Sequence, residues 1–317
     1  MPHPRTLLPG FTAQDITVAG GVRIRTAVGG QGPPVLLLHG YPQTHATWRE
    51  IAPVLAQSFT VVAPDLRGYG DSAKPPSDPA HAAYAKRAMA TDQVAVMHTL
   101  GHDRFPVVGH NRGGRVAHRM ALDHPGTVER LAVLDIAPTA TMYARTDREF
   151  ATRYYHWFFL IQAEPLPEQL IGGATEAYLR AILAHQYRTP GVPREDLAAE
   201  YLRCFDDPAL IHATCEDYRA ASSIDLEHDA ADQSAGRLIT QPLLALWGSR
   251  GTVGHLYDVL ATWREVSDGP VGGGPLDCGH VPQEEQPAET ASRLAAFLGS
   301  GDGRSGQPPG GVSSATP

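Results

Sequence analysis

Val107-Val108-Gly109-His110-Asn111-Arg112-Gly113-Gly114-Arg115 reads as a strand, a sharp turn and the start of a helix. Its centre is G-x-Asn-x-G. Gly109 and Gly113 flank position 111, where a tight turn brings backbones together and leaves no room for a Cβ. Such a turn lifts a nucleophile clear of a sheet. The residue lifted here is the only asparagine in 317 residues. An amide is a poor nucleophile, so it sits where it should stop such a reaction. The reading is of an enzyme that ordinarily carries aspartate at 111 and is stalled by the amide. Taken alone, the motif is equally a Gly-rich strand–helix turn that binds phosphate.

The surroundings decide for the enzyme. Val35–Leu38, Thr60–Ala63, Pro106–Gly109, Leu131–Leu134 and Leu243–Trp247 are short and continuously apolar, as parallel strands covered on both faces must be. Ala46–Gln57, Lys86–Leu100 and Gly114–His124 between them read as helices. Ile16–Val18 and Val22–Thr26 suit an antiparallel edge hairpin. The alternation predicts an α/β chain: a doubly wound, mostly parallel sheet of the α/β-hydrolase type, with ligands at the carboxyl ends of its strands. It breaks after Asp135, where helical stretches such as Phe150–Gln162 and Ala198–Phe205 are aromatic-rich. The expected organisation is core over 1–138, an inserted helical cap over 139–225, core again over 226–298 with a last helix Ala288–Leu298, and a disordered tail over 299–317, which is rich in Gly, Ser, Pro and Thr with almost nothing apolar.

Composition narrows the function. The net charge of -8 is spread along the chain, which argues against a nucleic-acid surface. Cys204, Cys215 and Cys278 have neither metal nor disulfide spacing, and so low a count suits a reducing, cytoplasmic setting. No long apolar run suggests a signal peptide or a membrane span. No metal and no cofactor is called for.

Partners for position 111 follow in the chain order of this fold. Cys278-Gly279-His280 lies ahead of the last helix and supplies a base, although the strand before it, Pro270–Leu276, is Gly-rich and weak. Trp247–Thr252 carries no carboxylate after the seventh strand, so the acid that orients His280 is Asp135, after the sixth. His39-Gly40-Tyr41-Pro42 follows the Val35–Leu38 strand, and the backbone N–H groups of Tyr41 and Arg112 would face a developing oxyanion. Arg112 and Arg115 share a face of the elbow helix. A buried guanidinium needs an anion, and its fork of donors fits a substrate carboxylate. The competing reading is a structural ion pair with a carboxylate such as Asp147 or Glu216. The cap aromatics, taken alone, read as packing.

These residues resemble the fluoroacetate (haloacetate) dehalogenases of the α/β-hydrolase superfamily. The resemblance runs from Leu8 to Leu298. It rests on His39–Gln43, Asp65-Leu66-Arg67-Gly68-Tyr69-Gly70-Asp71-Ser72, Gly109–Arg115, Tyr155-His156-Trp157, Cys215-Glu216-Asp217-Tyr218-Arg219-Ala220 and Gly279-His280. It implies a small halogenated carboxylate as substrate and an aspartate at 111 that displaces halide. It also implies that His280, backed by Asp135, activates the water that hydrolyses the ester. Arg112 and Arg115 would hold the substrate carboxylate, and His156, Trp157 and Tyr218 the leaving halide. Members are usually homodimers. His185-Gln186-Tyr187 departs from fluoride-preferring relatives, which place a tryptophan there. Two alternatives stay open: an epoxide hydrolase, which would use cap tyrosines as acids and not need Arg112, and a non-catalytic carboxylate-binding protein.

Overall fold

The computed structural model describes residues 7–300. The expected disordered tail therefore lies, from residue 301 onward, outside the described residues. Eight strands are present among them: β1 (Thr12–Thr17), β2 (Arg23–Gly29), β3 (Pro34–Leu38), β4 (Thr60–Pro64), β5 (Phe105–His110), β6 (Val128–Leu134), β7 (Leu243–Gly248) and β8 (Val271–Leu276). They form one sheet in the order β1-β2-β4-β3-β5-β6-β7-β8. The hairpin β1–β2 and the pair β2–β4 are antiparallel, and every other pairing is parallel.

The central strands are apolar throughout because both faces are covered. Successive side chains point to opposite faces. Leu36, Leu38, Val107 and Val133 therefore join Met97, Val116, Met120 and Trp263 on one side. Val35, Leu37, Val108 and Leu134 join Trp48, Leu55, Leu294 and Leu298 on the other. Fully burying each such side chain contributes about 1.5–3 kcal/mol, so the centre of the sheet holds much of the apolar core.

Between β6 and β7 lie eight helices and no strand, from Thr139–Ala144 to Ile224–Ser234. Phe150, Trp157, Leu160, Tyr201 and Phe205 pack into the same apolar cluster as the first face of the sheet. Several expectations shift. The helix expected over Ala46–Gln57 is a short 3-10 turn, His45–Trp48, and a separate helix Ala52–Leu55 with proline at its start; Pro53 has no N–H to continue an earlier ladder. The stretch Phe150–Gln162 divides into Arg148–Arg153 and Tyr155–Leu160, because Tyr154 leaves helical geometry at φ -110, ψ 32. The boundary expected at residue 225 falls inside helix Ile224–Ser234, which runs on until Gly236 takes up φ 63.

No helix among the described residues is long and apolar enough to cross a membrane. The three cysteines are buried and unbridged.

Candidate active site

The ends of β5, β6 and β8 meet at one place. Asn111 opens the helix Asn111–Asp123 directly after β5. It does so with φ 49, a left-handed value costly for a residue with a Cβ. The flanking glycines explain how the turn closes. A Cβ on Gly109 would lie 2.5 Å from the Gly113 carbonyl oxygen, and one on Gly113 would lie 2.3 Å from that of Leu38.

Two backbone donors converge on the Asn111 side-chain oxygen: Arg112 N–H at 2.6 Å and Tyr41 N–H at 3.2 Å. They fix which way the amide points, since donors cannot face its NH2 group. That group therefore turns to His280 and lies 2.7 Å from Nε2. The other ring nitrogen, Nδ1, meets Asp135 Oδ2 at 2.5 Å. Asp135 is also in the left-handed region, at φ 51, and its second oxygen accepts from Gly248 N–H at 2.9 Å. Asn111, His280 and Asp135 thus form one chain of contacts. In an aspartate at 111, one oxygen would occupy the pair of N–H groups and the other would be free to attack. Here the free atom is nitrogen, whose lone pair is delocalised into the amide.

His39 is not part of this chain. Its Nδ1 donates to the Gly40 carbonyl and its Nε2 accepts from Leu66 N–H, and burial lowers its pKa to about 4.

The two arginines differ. Arg112 is buried and its fork is occupied: Nε donates to Asp217 Oδ2 at 2.9 Å, and Nη2 to Asp217 Oδ1 at 2.8 Å and to the Asp217 carbonyl at 2.7 Å. Burial opposes its charge, and the Asp217 carboxylate more than offsets this. The expectation that both guanidinium groups are free for a ligand is overturned for Arg112, of which only Nη1 lacks a partner. Among the described residues, Arg115 meets no carboxylate. It donates to Thr139 Oγ1 at 2.8 Å and lies over the Trp157 ring at 4.7 Å, while its Nε lacks a partner. Burial, then the neighbouring Arg112, lowers its pKa to about 10, so it stays charged at neutral pH.

Sequence reasoning missed Asp217 as the Arg112 partner. Asp147 instead caps helix Arg148–Arg153, and Glu216 pairs with Arg219 and His81. Adjacent helix positions face different ways, which turns Asp217 toward the elbow and Glu216 away. Lys86 and the Tyr69 hydroxyl also bind the Asp217 carboxylate. Against the cost of burial, Arg112 and Lys86 hold it well below the usual carboxylate range.

Above Arg112 and Asn111 the helical segment brings His156, Trp157 and Tyr218. The Tyr218 ring lies 4.2 Å from the Arg112 guanidinium carbon, and the His156 and Tyr218 rings are 6.0 Å apart. His156 Nδ1, Trp157 Nε1 and the Tyr218 hydroxyl are buried without a protein partner. Burial keeps His156 neutral, with its pKa down at about 3. A cavity of about 20 Å³, lined among others by Asn111, His156, His185, Gln186 and His280, lies at the junction. A larger groove of about 580 Å³, lined by residues such as Ser77, His81, His212 and Arg219, includes none of positions 111, 135 and 280.

A family model described as the alpha/beta hydrolase fold matches residues 33–287. The chain is 44% identical over 309 residues to a fluoroacetate dehalogenase from a Burkholderia species, covering 95% of this chain and 97% of the relative. It is 36% identical to a soluble epoxide hydrolase from Corynebacterium sp. (strain C12), covering 88% and 95%. Among solved structures, a Salmonella enterica chain provisionally described as an acyltransferase superposes with a TM-score of 0.92 at 53% identity, covering 94% of this chain and 98% of that one.

Proposed function

Because the chain belongs to the alpha/beta hydrolase superfamily and, within it, to the haloacetate dehalogenases, we propose that its site is built to hydrolyse the carbon–halogen bond of a haloacetate and is stalled by Asn111. With aspartate at 111, the free carboxylate oxygen attacks the α-carbon and the halide leaves with the bonding electrons. An ester links the enzyme to the acid. His280 then takes a proton from water at Nε2, the water oxygen adds to the ester carbonyl, and Tyr41 and Arg112 N–H hold the resulting oxyanion. On collapse the bond to the alkyl oxygen breaks, that oxygen takes the proton back from His280 Nε2 and leaves as the hydroxyl of a 2-hydroxy acid, and the carboxyl group at 111 gives its proton to solvent. The helices over the strand ends act as the cap, and His156, Trp157 and Tyr218 receive the halide.

The observation that carries this reading is the set of buried polar groups without protein partners: His156 Nδ1, Trp157 Nε1, Tyr218 OH, Arg112 Nη1 and Arg115 Nε. In protein interiors such groups usually find a partner. His156 lines the cavity at Asn111, Tyr218 lies on Arg112 and Trp157 on Arg115, and the set fits a ligand with an acid at one end and a developing anion at the other. An epoxide has no use for Arg115, a buried cation with no carboxylate.

The test compares the chain as it stands with its Asn111→Asp variant, on fluoroacetate and on styrene oxide. The variant is expected to release fluoride, and the parent none while mass spectrometry shows its amide intact. Turnover of styrene oxide alone would overturn the reading in favour of an epoxide hydrolase.

A further inference from the structure

His280 is not held only through its ring. The Gly279 N–H donates to Glu285 Oε2 at 3.0 Å and the Val281 N–H to Glu285 Oε1 at 3.2 Å. The same carboxylate reaches the helical segment: Oε2 accepts from Arg188 N–H at 2.8 Å and from Thr189 Oγ1 at 3.0 Å. His280 N–H itself donates to the Gln186 carbonyl at 2.9 Å, and the His280 carbonyl contacts His110 Nε2 at 2.8 Å. Glu285 is buried, at 5% exposure. One side chain thus fastens the amides on both sides of the base and ties them to residues 188–189. The Arg250 side chain makes a second link, donating to the Asp277 carbonyl at 2.8 Å and to the Arg188 carbonyl at 3.1 Å, whereas Glu285 takes the amides that flank His280.

We infer that Glu285 is a positioning residue for the second half of the reaction: it sets the main chain of His280 against residues 186–189, and so places Nε2 for attack of water on the ester. The inference rests on the reading of the function given above. It separates two steps. Displacement of halide uses position 111 and the donors over it, and His280 takes no proton. Hydrolysis of the ester needs Nε2 aimed to within a fraction of an ångström. A loosened Glu285 therefore affects the second step and spares the first.

The test is made in the Asn111→Asp form with Glu285→Gln. This substitution keeps the volume but points an NH2 group at backbone donors. Rapid-quench kinetics read halide release in the first turnover, and mass spectrometry reads the carboxymethyl ester. Ester hydrolysis is expected to fall by about tenfold or more, with first-turnover halide release changed by less than about threefold, so that ester accumulates. Glu285→Ala, with folding checked by thermal unfolding, should accumulate more. Equal slowing of both steps, or no change in either, overturns the inference and leaves Glu285 a structural residue. If the Asn111→Asp form with Glu285 intact releases no halide, the reading of the function fails and this inference with it.

Discussion

The two sides of the site are built differently. On the strand side, each side-chain heteroatom of Asn111, Asp135 and His280 has a protein partner, and two of the three residues are held in left-handed backbone geometry. On the helical side, His156, Trp157, Tyr218 and the inner atoms of both arginines are buried without one. The first is a finished machine whose parts answer each other. The second is shaped for something that is not protein. On the proposed function, the strand ends carry the groups that make and break bonds, and the other side carries those that would hold the substrate.

The contrast can be broken by substitutions on each side. The largest effect belongs to the strand side. In the Asn111→Asp form, His280→Gln should lower turnover by about 10³-fold or more, with the alkyl ester trapped and visible by mass, whichever halide is used. Turnover without trapped ester would show that the base lies elsewhere. On the helical side the effect should depend on the leaving group. Tyr218→Phe or Trp157→Phe should cost about 10²-fold in fluoride release and clearly less in chloride release. Equal losses for both halides would remove these groups from the leaving-group site.

Arg115→Met is expected to weaken haloacetate binding to the chain as it stands by tenfold or more, about what losing one charged hydrogen bond costs, while haloacetamide is unaffected. Titration calorimetry reads both. A loss of equal size for the amide would contradict a role in holding the acid group.

The smallest effect probes the exception on the strand side. Glu284 accepts from Thr47, Tyr201 and Gln43, but its Oε2 has no partner. Burial, only partly offset by its hydrogen bonds, raises its pKa from 4.5 to about 7. The neutral carboxyl therefore contributes stability that is full below 4.5 and lost as the pH rises through about 7. Glu284→Gln should leave urea stability near pH 5 almost unchanged and raise it near pH 8 by about 3 kcal/mol at most. A variant no more stable at pH 8 would show that the carboxyl ionises at little cost.

Most of the sheet was legible because burial on both faces forces continuous apolar runs, as in Val35–Leu38 and Leu131–Leu134. β8 was hard to read for the opposite reason. Val271-Gly272-Gly273-Gly274 has little side chain to pattern, yet it pairs along the whole of β7. Gly273 sits at φ 138, where a Cβ would lie 1.8 Å from the Ala245 carbonyl oxygen. Closeness to β7 selects glycine there, and a propensity reading mistakes it for weakness. The helix break at Pro53 was legible, since a proline has no N–H to continue a ladder, whereas Tyr154 carries no such local signal.

In the site, residues at strand ends could be placed because topology fixes their order. The Arg112–Asp217 pair could not, since it joins an elbow to a helix across long sequence separation and leaves no periodic trace. Its neighbour Glu216 has the same charge and faces away.

That ion pair has a selective consequence. With the Arg112 fork closed by Asp217, Arg115 is the cation of the pair left without a carboxylate. On the proposed function, a monoacid would pair with Arg115, and a halogenated diacid such as a halosuccinate would bring a second charge for which Arg115 offers no second partner, so the diacid is expected to bind more weakly.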